Sequence, residues 1–158
     1  MNMDNARKYS PKLYVLVGCS GSGKSTFAKK IQNDDTVIIS TDAIRKELFG
    51  REECQRESER VFAIAHYRVK AALLEDRNVI FDATNTTTKG RKSLLEYVEK
   101  TYCWKVAIVF AAPVDECKRR NQMRDRKVPD AVIERQFKQY MRDAQTIPDQ
   151  FDEIVVVR

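Results

Sequence analysis

Five short apolar or β-branched runs, LYVLVG, TVIIS, NVIFD, WKVAIVF and EIVVV, recur along the chain, and segments with helical spacing lie between them. A short run of this kind bounded by polar residues suits a strand buried on both faces, and strands that alternate with helices are joined by crossovers. The pattern therefore predicts an α/β fold in which a parallel sheet of five strands carries helices on both faces. A chain of 158 residues is long enough for one domain with a proper core and too short for two of ordinary size, so its motifs should converge on one site. Within 54–76, Phe62, Ala65, Val69 and Leu73 fall on one stripe, and Ile133, Phe137 and Met141 do the same near the end; both stripes read as core. Pro129 and Asp130 read as the start of the last long helix, with the aspartate as its cap. Residues 1–11 are expected to form a loose tail and 12–158 the domain.

Composition narrows the setting. The four cysteines, Cys19, Cys54, Cys103 and Cys117, form no CxxC pair and have only His66 as a possible metal-binding companion, which argues against a zinc knuckle or a secreted disulfide framework. There is no apolar run long enough to span a bilayer, and the opening MNMDNARKYSPK lacks the apolar core of a signal peptide, so a soluble cytoplasmic protein is expected. The formal charge of +6 points to an anionic partner such as nucleic acid or nucleotide. Much of that excess sits in KRRNQMRDRK, Lys118 to Lys127, where six cationic residues face the single acid Asp125.

Gly18 to Ser25 reads GCSGSGKS and satisfies the pattern GxxxxGKS directly after one strand and directly before a helix. Such a loop curls its backbone N–H groups, here those of Gly18, Ser20, Gly21, Ser22 and Gly23, around phosphate oxygens. Lys24 then reaches the outer phosphates, Ser25 offers a hydroxyl to Mg²⁺, and Thr26 sits in the first helical turn. NVIFD ends in Asp82, which either brings a carboxylate toward that metal or caps a turn in DATN. No N/TKxD guanine-reading pattern follows, so ATP, or a site tolerant of several nucleotides, is the expected donor.

The stretch IISTDAIRKE sets Asp42 and Arg45 one helical turn apart just past the second strand, on the side of an open α/β sheet where ligands bind. There a carboxylate can take a proton from an attacking hydroxyl, and an arginine can fix a phosphate of the acceptor. The plain alternative is that Asp42 caps a helix and Arg45 points to solvent. Arg120, Arg124 and Lys127 fall at i, i+4 and i+7, on one helix face; that face either closes as a lid over the transferring phosphoryl group or is merely solvated. REECQRESER, of mixed sign, reads as a solvated helix start.

Taken in order, GCSGSGKST, STDAIR, FDATN, RRNQMR and VPDAVIERQFKQY make the chain resemble the polynucleotide 5′-hydroxyl kinase family of P-loop kinases, from about Leu13 to the end. The first motif is generic to nucleotide-binding proteins; the next three in this order give the resemblance its specificity. It implies a P-loop NTPase fold with a helical lid around 114–130, and ATP-dependent phosphoryl transfer to the 5′-hydroxyl end of RNA or DNA. Carried over, Lys24, Arg120 and Arg124 serve the ATP phosphates, with Lys24 and Arg124 acting in catalysis. Asp42 is the general base, and Ser25 and Asp82 hold Mg²⁺. Arg45, Asp82, Thr84 and Asn85 face the acceptor, with Asp82 serving the metal, Arg45 or both, because Ala83 separates it from Thr84. No DxDxT nucleophile motif is present, so no 3′-phosphatase activity is expected. A small-molecule kinase of the gluconate, shikimate or nucleoside type, and a non-catalytic nucleotide- or nucleic-acid-binding module, are the alternatives.

Overall fold

All five apolar runs are strands, and they hydrogen-bond in the order β2-β3-β1-β4-β5, every neighbouring pair parallel. The computed structural model describes residues 10–50, 58–125 and 127–158. Its strands are β1 Lys12–Val17, β2 Thr36–Ser40, β3 Asn78–Asp82, β4 Trp104–Phe110 and β5 Glu153–Val157. The helices, in chain order, are α1 Lys24–Ile31, α2 Thr41–Phe49, α3 Ser58–Leu74, α4 Thr88–Tyr97, α5 Val114–Gln122, α6 Asp130–Asp143 and α7 Ile147–Gln150, with a 3₁₀ turn at Ala144–Thr146. Among the described residues no helix is long and apolar enough to cross a membrane.

Side chains on successive strand residues face opposite ways, and the sheet separates two cores accordingly. Leu13, Val15 and Val17 of β1 join Val79, Phe81, Ala107 and Val109 beneath α2, α3 and α4. Leu16 joins Ile80, Val106, Ile108 and Phe110 beneath α1, where Phe27 meets Phe110 edge-on at 5.4 Å between ring centroids. A third cluster of Cys19, Cys117 and Ile133 fixes α5 and α6 over the loop that follows β1.

The stripe on α3 is core as expected: Ala65, Val69 and Leu73 are buried and Phe62 packs against them. On α6 the expectation needs correcting. Ile133 and Phe137 do pack inward, but Met141 is 64% exposed, and Tyr140 and Ala144 take the inner positions. Helical geometry permits either i+7 or i+8 after Ile133, and the main core selects the former. Asp130 is also not the cap of α6: Pro129 stands there, and its carbonyl accepts from the N–H groups of Val132 and Ile133. At the other end of the chain, Pro11 is buried and its carbonyl accepts from Trp104 N–H, while residues 1–9 of the expected tail lie outside the described residues. So do 51–57 of REECQRESER and Cys54.

Arg91 on α4 is wholly buried, and each nitrogen of its guanidinium is used. Nε donates to Gln150 Oε1 at 2.8 Å, one terminal nitrogen to Asn85 O at 2.7 Å, and the other to Asp143 O at 2.7 Å and Thr146 Oγ1 at 3.1 Å. This single side chain ties the turn after β3 to the ends of α6 and α7. Arg91→Met strands those acceptors in the interior and is expected to cost at least about 3 kcal/mol in urea unfolding, with Arg91→Lys recovering only part because an ammonium lacks the planar fork.

His66 is buried edge-on against Phe62 and Phe81 and tilted against Tyr97. Burial lowers its pKa, so the unfolded chain takes up a proton that the folded chain resists. Stability from this group is present above the unfolded value of about 6.5 and is lost as pH falls below it. The urea midpoint should therefore drop between about pH 7 and pH 5, and His66→Leu should flatten that drop.

Candidate active site

The site starts where β1 and β3 end side by side. Their ladder pairs Val15 with Phe81, and Gly18 N–H continues it by donating to Thr84 O at 2.9 Å. The loop from Gly18 to Gly23 then turns into α1. Gly21, at φ 84°, lies so near α5 that a Cβ there would meet Cys117 O at 2.3 Å, which makes glycine obligatory on two counts. Lys24 Nζ lies buried and donates to Cys19 O at 2.8 Å. Burial pulls its pKa below the usual range, while Asp82, Cys19 and Asp42 act in the opposite sense. Thr26 occupies the first turn of α1, as expected.

Ser25 Oγ donates to Asp82 Oδ2 at 2.7 Å. Asp82 is buried, and desolvation raises its pKa against the Ser25 hydrogen bond and the Lys24 charge. A serine hydroxyl beside a carboxylate is a set of hard oxygen donors suited to Mg²⁺. Asp82 thus faces the loop, and its reading as a mere turn cap does not hold. Thr84 lines the cavity described below, but Asn85 does not. Asn85 adopts φ 49°, and its side-chain amide donates to Leu16 O at 2.7 Å and Ala83 O at 3.3 Å, so it fastens the turn and is turned away from the expected acceptor position.

The ladder of β2 on β3 sets Ser40 level with Asp82. Ser40, and not Asp42, caps α2: its Oγ accepts from Ala43 N–H at 3.2 Å, which leaves Asp42 in the first helical turn and free of that duty. Arg45 does not point to solvent either. It is buried, donates to Asp42 Oδ1 at 3.0 Å, and keeps a buried Nε without a hydrogen-bond partner among the described residues.

The cationic window supplies the third wall. Arg120, Arg124 and Lys127 all line the cavity, but not as one helix face, because α5 stops at Gln122. Asn121 explains the stop: it is fully buried, its amide donates to Val128 O at 2.7 Å, and Val128 N–H donates back at 3.1 Å. The chain is folded back by this clasp, and Arg124 and Lys127 ride on the returning loop. Arg120 donates to Ser22 O at 3.2 Å and pairs with Glu116, while Arg119 holds Glu116 on the outer side; Arg126 lies outside the described residues.

Together these walls enclose a cavity of about 610 Å³. Among the sequence-derived candidates Gly18 and Ser22 sit within the loop and do not line it. Most of the residues that the sequence did not disclose come from α3 and α6, with Thr41, Ala83, Val128 and Pro129 besides. Phe62 closes one side, and Gln136 Oε1 accepts from Ser20 N–H at 2.8 Å while Gln139 Oε1 accepts from Thr86 Oγ1 at 2.8 Å. Val132, Gln136 and Gln139 repeat at i, i+4 and i+7 next to the apolar stripe; that spacing was the available signal, but the partners lie far away in the chain.

Residues 13–147 match a family model described as AAA domain. The chain belongs to that family. Its fold is that of the P-loop kinases. This AAA-domain chain is 31% identical over 138 residues to an L-seryl-tRNA(Sec) kinase of Methanococcus maripaludis, covering 81% of the chain and 52% of that protein. A chain in the structure of the Pnkp1/Rnl/Hen1 RNA repair complex superposes with a TM-score of 0.78 at 28% identity, covering 88% of this chain and 47% of that one. A gluconokinase from Sinorhizobium meliloti shares the fold at a TM-score of 0.63 and 20% identity, with 93% and 82% covered. The chain thus spans about half the length of the curated relative and of the RNA-repair chain.

If Ser25 and Asp82 form the metal pair, Asp82→Asn should raise the Mg²⁺ concentration needed for tight nucleotide binding by about 10-fold or more, read by titrating a fluorescent ATP analogue. Because Asp82 has a raised pKa, the wild-type Mg²⁺ requirement should grow as pH falls and its carboxylate gains a proton, and the Asn variant should lose that trend.

Proposed function

We propose that the chain transfers the γ-phosphoryl group of ATP to the 5′-hydroxyl end of an RNA or DNA strand. The observation that carries this reading is Arg45, a buried guanidinium that is ion-paired with Asp42 and lines the cavity shared with the phosphate loop. A neutral acceptor gives that poorly solvated cation no added counter-charge, whereas an acceptor phosphate next to the reacting hydroxyl does.

In this reading Asp42 accepts the proton of the 5′-hydroxyl, and the freed oxygen attacks the γ-phosphorus in line as the bond to the ADP oxygen breaks. Arg45 holds the neighbouring acceptor phosphate and keeps the hydroxyl within reach of Asp42, with Thr84 on the same side. The loop N–H groups and Lys24 position the donor phosphates, and Arg120 and Arg124 offset the charge that builds on them. Ser25 and Asp82 would hold Mg²⁺, which when bound would offset the charge of the donor phosphates. Residues 12–158 act as one kinase domain, with 114–130 as the lid that excludes water.

The likeness to a chain of an RNA repair complex supports a nucleic-acid acceptor. The likeness to an L-seryl-tRNA(Sec) kinase favours a second reading, in which the hydroxyl belongs to a group carried on tRNA. Assays with labelled ATP across 5′-hydroxyl RNA and DNA ends, seryl-tRNA and small polyols separate them; labelling of seryl-tRNA or a polyol alone would sink the first reading. On the preferred acceptor, Asp42→Asn should lower kcat by about 10²- to 10⁴-fold with nucleotide binding retained. Arg45→Ala should raise the acceptor KM by about 10- to 100-fold with little effect on the KM for ATP.

A further inference from the structure

The cavity is lined by six cationic side chains and two carboxylates among the described residues. Resting on the reading above, Lys24, Arg120 and Arg124 serve the donor phosphates and Arg45 the acceptor phosphate nearest the hydroxyl. Two cations remain, Lys127 from the returning loop and Arg135 from α6, and neither has an acidic partner within ion-pair distance among the described residues. Glu134, the acid adjacent to Arg135, is committed to Lys118 on the outer side. By contrast Arg68 and Arg142, outside the cavity, are held by Glu47 and Asp143.

Arg135 also stands on a firm base. Gln136, the next residue, fastens α6 to the phosphate loop at Ser20, and Gln139, one turn on, fastens it to Thr86 beyond β3. This stretch of α6 is therefore held against the phosphate loop and the turn beyond β3, and Arg135 lines the cavity beside them. A guanidinium on a fixed helix suits phosphate, which it can grip through two parallel N–H bonds.

We propose that Arg135 binds the second phosphodiester of the acceptor, beyond the one held by Arg45, so that the substrate class is a polynucleotide and not a nucleoside or its monophosphate. A strand lying along the cavity meets Arg45 with its first phosphate and the α6 arginine with its next. Each phosphodiester adds one negative charge to a wall with an excess of positive ones.

The test compares kcat/KM for a 5′-hydroxyl nucleoside 3′-monophosphate with that for a trinucleotide of the same first base. The second phosphate should raise kcat/KM by about 10-fold or more in the native chain, as a charge-assisted pair does. In Arg135→Ala that gain should shrink to about twofold, Arg135→Lys should recover part of it, and Arg68→Ala, an equal loss of charge elsewhere, should keep it whole. The salt dependence of trinucleotide binding should also weaken by nearly one phosphate contact in Arg135→Ala. If both acceptors are phosphorylated and Arg135→Ala retains the full gain, the α6 contact is overturned while the kinase reading stands. If no 5′-hydroxyl end is phosphorylated at all, both fall together.

Discussion

The turn that leaves β3 determines where the rest of the site stands. Thr84 O takes the N–H of Gly18, and the Asn85 amide reaches across to Leu16 O, so the exits of the two central strands are tied at the level where the phosphate loop begins. Without that tie, Ser25 and Asp82 would belong to two independent loops. With it, a hydroxyl on α1 and a carboxylate on β3 meet at hydrogen-bond distance. Asn85 accepts a left-handed backbone to make this connection, and Arg91 secures its carbonyl from below. Backbone strain at one residue is thus balanced by contacts from β1 and α4.

Electrostatics follow from the same packing. Lys24 and Arg45 are both buried near Asp82 and Asp42, so the two cations and two anions of the cavity floor are set against each other in a poorly solvated space. Burial shifts Lys24 down and Asp82 up, the directions in which each becomes less charged. An incoming phosphate therefore meets a cation whose charge the fold has left incompletely compensated, and the interaction gains strength from the low local dielectric.

Strands and helices were readable because periodicity is local, and the phosphate loop because its glycines answer to backbone geometry inside eight residues. Asp42 and Arg45 were legible as a pair, but their freedom from capping became visible only through Ser40, whose hydroxyl takes the cap. The three-cation helix face was misread for a comparable reason: nothing in RRNQMRDRKV announces that Asn121 will clasp Val128 and end the helix. Asn85 looked like a ligand-facing residue in its motif, yet its amide is spent on Leu16 O, an acceptor 69 residues away. Gln136 and Gln139 were overlooked because a glutamine in a helix carries no local signal of the distant amide or hydroxyl that it will meet.

The contact between Gly21 and the Cys117 carbonyl bears on how such a chain can be rebuilt. The loop and α5 meet backbone to backbone, with no side chain between them to absorb a mismatch. A segment transplanted from a relative into 114–130 would have to reproduce the course of its main chain at this point, whatever its side chains. Exchange of this region is therefore limited first at Cys117, where main chain meets main chain.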